Sequence, residues 1–127
     1  MCGLFKKIKW VDFMEKTETL KKNYEFKYVL TKGVFYPGMY INIYILKGNQ
    51  PVNRIGIAVQ KKIATAVKRN KIKRVIRASY TLIEKDINQC CNIVIVCKKN
   101  IKIQEATFAN INKDMLNILK RAGVLNI

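Results

Sequence analysis

At 127 residues, half of them apolar, the chain suits one domain with a real hydrophobic core and is no disordered polycation. Its 25 lysines and arginines against 8 carboxylates give a formal charge of +17, more than solubility requires, and point to an anionic partner. No apolar run approaches the ~20 residues of a membrane span, the lysine-interrupted stretch Met1–Trp10 does not read as a signal peptide, and histidine, the commonest general acid–base group, is absent.

Residues 1–17 read as an extension ahead of a single domain over 18–127. A membrane-surface role for residues 4–14 is weak, because Asp12 interrupts the short amphipathic stretch. Thr17 to Lys22 is a polar lead-in. Asn23 is expected to cap a short helix, with Glu25 in its first turn and Gly33 at its end. Phe26, Val29 and Leu30 would share its inner face. Pro37-Gly38 marks a turn. Met39 to Leu46 alternates and is rich in β-branched and aromatic residues, so it reads as a strand. After a loop from Gly48 to Asn53, Arg54 to Gln60 reads as a second strand. Ile55, Ile57 and Val59 lie on one face of it, and Gly56 and Ala58 leave the other shallow.

The next segment is the most informative. A helix is expected from about Thr65 to Lys85. Ala66 to Arg77 holds six cations and one asparagine in twelve residues. On a helical projection Ile72, Val75, Ile76, Leu82 and Ile83 fall on one side. Arg69, Lys73 and Arg77 line up at i, i+4 and i+8, with Asn70 and Arg74 beside them, on the arc away from Ile72, Val75 and Ile76. Between Glu25 and Glu84 there is no acidic residue, so salt bridges cannot explain most of these charges. A run of charge is usually a solvated face. Here the missing counter-charges favour a polyphosphate backbone instead.

Asn92 to Lys98 is apolar on both faces, as a central strand would be. The last helix is expected from about Glu105 to Arg121, with Phe108, Ile111, Met115, Ile118 and Leu119 as its stripe and Gly123 as its stop. The order helix, strand, strand, helix, strand, helix makes a small α+β or α/β sandwich, helices packed on one sheet. Cys2, Cys90, Cys91 and Cys97 lack paired spacing and read as small buried hydrophobes in a reducing compartment; a zinc site is remote without histidine.

An active site within the protein is not supported. The carboxylates are scattered, the glycines are isolated, and the single serine, Ser79, falls on the apolar side of the basic helix. The chain offers cations and aromatics instead. Tyr24, Phe26, Tyr28, Phe35, Tyr36, Tyr40 and Tyr44 crowd its first third. Such rings stack bases of single-stranded RNA, at ~1–3 kcal/mol per base. They also pack cores, and for Phe26 the two uses stand at even weight. Tyr28 and Tyr44 carry hydroxyls that suit a half-open cleft.

The stretch AVKRNKIKRVIRASY resembles the signature of the bacterial ribonuclease P protein family, RNR-x-KR-x-x-R. Arg69, Asn70, Lys73, Arg74 and Arg77 match it, and Lys71 stands at the second arginine, keeping the charge without the fork. Upstream, RIGIAVQKKIATAVKRN is similar to the family's R-V-G-I-S-V-S-K-K-x-G-N-A-V-x-R-N. Arg54, Gly56, Lys61 and Lys62 match; Ala58, Gln60, Ala64 and Thr65 depart from it. LKKNYEFKYVLTKG, IVIVCKK and LKRAGVL resemble the family's opening helix, last core strand and closing helix. The resemblance runs from about Thr19 to the end.

It implies a protein subunit of a cytoplasmic ribonucleoprotein that matures the 5′ end of precursor tRNA. The RNA subunit would be the catalyst and, with the substrate, would hold the magnesium ions. The partners implied are that RNA and precursor tRNA, with no membrane and no obligate protein partner. Carried over by residue, Lys61, Lys62, Lys68, Arg69, Asn70, Lys71, Lys73, Arg74 and Arg77 would contact RNA. Phe26, Leu30, Tyr44 and Lys61 would line a cleft for the 5′ leader, Leu30 standing where the family has a second aromatic. The resemblance also implies a left-handed βαβ crossover through the basic helix, a topology shared with a ribosomal-protein domain. General packing rules favour the right-handed form in ~98% of cases. Charge alone leaves two rivals, a general RNA-binding or ribosomal protein and a double-stranded DNA binder, since backbone contacts dominate each.

Overall fold

A computed structural model describes residues 17–20, 22–48, 53–60, 65–87, 91–98 and 101–125. The expected extension before Thr17 lies outside the described residues. Eight elements follow in order: β1 (Thr17–Thr19), α1 (Asn23–Lys32), β2 (Val34–Pro37), β3 (Ile41–Lys47), β4 (Asn53–Ala58), α2 (Ala66–Ile83), β5 (Cys91–Cys97) and α3 (Phe108–Ala122). Short 3-10 turns occupy Glu84–Asp86 and Ile103–Glu105. The strands form one mixed sheet in the order β1-β4-β5-β3-β2. β4 is parallel to β1 and β5, and β3 is antiparallel to β5 and β2.

β5 is central, as its two apolar faces require. Ile93 and Ile95 meet Ile43, Ile45 and Ile55 in the main core, which α2 closes with Ile72, Ile76 and Tyr80, and α3 with Ile111, Met115 and Ile118. Val94 is fully buried on the opposite face, beneath α1 with Leu20 and Val29. The sheet therefore has two helices on one side and one on the other.

The hand of the β4–α2–β5 crossover follows from one residue. Ile55 points its side chain into the core under α2, while its carbonyl accepts the Leu20 N–H on the β1 side at 2.9 Å. For an L-residue in a strand running upward with its side chain toward the viewer, the N–H and C=O point right. β1 is therefore right of β4 and β5 left of it, seen from the helix side. The chain steps leftward through a helix in front of the sheet, which is the rare left-handed connection.

Sequence and structure differ at several elements. The edge strands β1 and β2 were not expected. β1 is three polar residues whose strand character comes from the edge of β4. β2 is mostly exposed and ends at Pro37, which an edge strand tolerates. In α1 the cap position is Lys22, not Asn23; its N–H donates to Glu25 Oε1 at 3.1 Å. Leu82 does not join the apolar side of α2 and is 58% exposed. The buried arc is Ile72, Ile76, Ser79, Tyr80 and Ile83, and Leu82 lies roughly 110° around the helix from it. The third helix begins at Phe108 instead of Glu105, capped by Thr107, whose Oγ1 accepts the Asn110 N–H at 3.2 Å. Gly123 ends it at φ 75°, a left-handed stop that glycine adopts freely.

Candidate nucleic-acid interface

The basic helix is held by its N-cap and its buried arc. Thr65 Oγ1 accepts the Lys68 N–H at 3.4 Å, and Ser79 Oγ donates to Asn112 Oδ1 of α3 at 3.0 Å. Ser79 is fully buried, which gives its hydroxyl a packing role. With that arc fixed, the cations sort by angle. Lys68, Asn70, Lys71 and Arg74 are exposed. Arg69, Lys73 and Arg77 are half-buried along one flank instead of standing opposite the core. The reason is rotational: the core arc is centred nearer Tyr80 than Val75, which carries the i, i+4, i+8 row partly under.

Burial lowers the Arg77 pKa from its ordinary value. The guanidinium stays charged at neutral pH but has lost part of its hydration, which favours an anionic contact. No acidic residue occurs within α2. Among the described residues Lys68, Lys71, Lys73 and Arg74 have no carboxylate at salt-bridge distance. These four cations thus remain available to phosphates.

The second part lies on the other face of the sheet. α1 crosses it, placing Val29 in the small core and Phe26 directly above Gly56. Phe26, Tyr44, Leu46 and Val96 are half-buried around Val94, so Phe26 and Tyr44 belong to one cluster. Leu30, one turn after Phe26, is 40% exposed instead of sharing the inner face. Phe35 of β2 tilts against Tyr44, ring centroids 5.1 Å apart and planes at 46°. The sequence pattern assigns Phe35 no place of its own; the β2–β3 register sets it opposite Tyr44. Tyr28 does not join Tyr44. It is 57% exposed and lines a groove on the opposite side of α1. Lys61 and Lys62 lie outside the described residues.

Among the described residues no three His, Cys, Asp or Glu side chains come together in a group that could hold an ion. Cys91 and Cys97 are buried. No helix among the described residues is long and apolar enough to cross a membrane. The fold and site define an α+β protein with a basic crossover helix on one side of the sheet and a half-open aromatic cleft on the other, two surfaces whose chemistry suits RNA.

Comparison with known proteins makes the class specific. The family model for ribonuclease P matches residues 14–123. The ribonuclease P protein component of Clostridium botulinum (strain Loch Maree / Type A3) is 33% identical over 112 residues, covering 87% of this chain and 99% of that one. That of Bacillus cereus (strain 03BB102) is 38% identical over 115 residues, covering 90% and 98%. The structure of the Staphylococcus aureus RNase P protein superposes with a TM-score of 0.72 at 30% identity, covering 85% of this chain and 97% of that chain. The chain belongs to the ribonuclease P protein family. Its function is that of the protein subunit of ribonuclease P, acting in tRNA processing.

Proposed function

We propose that α2 binds the catalytic RNA subunit and that the cleft between α1 and the sheet receives the 5′ leader of precursor tRNA. The observation that carries this reading is the separation of two surfaces with different chemistry. A helix with no acidic residue of its own, presenting Lys68, Lys71, Lys73 and Arg74 to solvent or along its flank, suits a folded RNA backbone. Half-buried rings at Phe26 and Tyr44, with Leu30 at the rim, suit unpaired bases. The magnesium ions of the reaction are held mainly by the RNA and the substrate, and the hydrolytic chemistry belongs to the RNA. The protein positions the leader and neutralises phosphates, which lowers the magnesium needed for assembly. It works in the cytoplasm with no obligate protein partner.

Reconstitution with a ribonuclease P RNA at low magnesium tests this. Stimulated cleavage of precursor tRNA is the expected result. A protein that binds RNA but gives no stimulation is instead a general RNA-binding protein. Rigorously RNA-free protein is expected to cleave nothing.

A further inference from the structure

A second groove runs along the other side of α1 from the Phe26 cleft and encloses about 680 Å³. Leu20 and Val29 form its apolar floor, and Arg54 of β4 and Asn92 of β5 close its far side. Its helix wall carries Tyr24 and Tyr28, one turn apart and 65% and 57% exposed. Core packing does not explain rings so open, because tyrosine stabilises a fold by burying its apolar body. Lys27 and Lys32 line the same groove, and Lys22 Nζ lies 5.8 Å from the Tyr24 ring centroid. The one carboxylate among the lining residues, Glu25, is already committed. It accepts the Lys22 N–H and sits 3.7 Å from the Arg54 guanidinium.

Flat rings at one-turn spacing, flanked by ammonium groups over an apolar floor, complement a ligand with flat aromatic groups on an anionic backbone. We propose that this groove binds a second stretch of single-stranded RNA, the part of a leader beyond the segment held at Phe26, with bases on Tyr24 and Tyr28 and phosphates at Lys27 and Lys32. The proposal rests on the leader assignment made above. A helix is only ~10–12 Å across, so a strand leaving one flank of α1 reaches the other within a few nucleotides. Lys27, exposed at the groove, offers the first phosphate contact on that path.

The test uses reconstituted holoenzyme and two precursors, one with a leader just long enough to fill the Phe26 cleft and one several times longer. Tyr24→Ala/Tyr28→Ala is compared with Tyr24→Phe/Tyr28→Phe. The alanine variant should weaken binding of the long-leader precursor by about fivefold or more, the lower end of one stacked base. Binding of the short-leader precursor should not change, and the phenylalanine variant should match wild type. Equal binding of the long leader by the alanine variant overturns the proposal. So does equal loss at both lengths, or loss in the phenylalanine variant. Both rings are exposed, so the melting temperature should hold; a large drop marks them as structural and also overturns it. Failure of the underlying leader reading shows separately, as a wild-type holoenzyme with no preference for the short-leader precursor over mature tRNA.

Discussion

The ring of Phe26 occupies the space that a side chain at position 56 would fill: a β-carbon built on Gly56 falls 2.6 Å from Phe26 Cε1 and 2.7 Å from Cζ. The glycine is therefore a seat for the ring, and it sets how deeply α1 beds onto β4. Because the same ring borders the cleft proposed for the leader, packing and the proposed binding are coupled at this contact.

Gly56→Ala should displace Phe26 and cost about 1–3 kcal/mol of stability by overpacking. It should also narrow the preference of the holoenzyme for precursor over mature tRNA. Phe26→Ala should lower stability by about 2 kcal/mol, less than a core phenylalanine because the ring is half-buried, and should erode the same preference. Melting curves and paired binding measurements separate the two effects. If both variants lose stability alone and keep the preference, Phe26 is a packing residue and the leader lies elsewhere.

Asp114 gives a second prediction, on folding. Its buried carboxylate accepts three consecutive backbone N–H groups, from Met39 at 3.0 Å, Tyr40 at 2.8 Å and Ile41 at 3.0 Å. Gly38 must be small there, since a β-carbon would fall 2.7 Å from Asp114 Oδ1 and 2.6 Å from Ile118 Cδ1. The contact locks the β2–β3 turn onto α3. Asp114→Ala strands those donors and should cost about 3 kcal/mol or more in urea unfolding. The RNA affinity of the molecules that remain folded should be unchanged, because neither face of the interface is touched.

Cys97 predicts a pH dependence. Burial pushes its thiol up to about 11, from a reference of 9.0. The folded state therefore holds this proton through a range in which the unfolded state releases it. The resulting stability is fully present below pH 9 and is lost as the pH rises toward about 11. At neutral pH the folded thiol should resist alkylation, read by peptide mapping of Cys97, and react only as the protein unfolds. Rapid labelling of the folded protein at neutral pH would contradict this burial.

Much of the fold was legible because its central elements carry strong periodicity. Ile41, Ile43 and Ile45 alternate in β3, Ile93 to Val96 mark a strand buried on both faces, and Ile72, Ile76 and Ile83 mark the inner arc of α2. The edges were illegible for physical reasons. Thr17–Thr19 has no apolar signal and is a strand only because β4 offers it an open edge. Val34–Pro37 turns Val34 and Phe35 toward solvent and is flanked by Gly33 and Gly38, so only the turn at Pro37-Gly38 is legible there. At the site, the existence of a cation row was plain, but its orientation was not. A rotation of some tens of degrees decides whether Arg69, Lys73 and Arg77 point out or lie along a flank, and Tyr80, absent from the expected core, sets that rotation.

That rotation makes Arg74 and Arg77 unequal, which gives the last prediction. Arg74 is exposed and Arg77 is half-buried with its pKa lowered by desolvation. Each phosphate contact displaces condensed counterions, so removing one should reduce the slope of log affinity against log salt by somewhat less than ~1. Arg74→Ala should weaken binding to the RNA subunit and flatten that slope while leaving the melting temperature unchanged. Arg74→Lys should still lose affinity if the guanidinium grips a phosphate with two N–H groups, because an ammonium acts there as a point charge. Arg77→Ala should flatten the slope equally but also lower the melting temperature, since its aliphatic stem covers part of the helix flank. Salt titrations of binding to the catalytic RNA, run beside thermal melts, check both. If Arg74→Ala keeps wild-type affinity and slope, the outward face of α2 is solvated surface, and the RNA contact must run through the flank of Arg69, Lys73 and Arg77 alone.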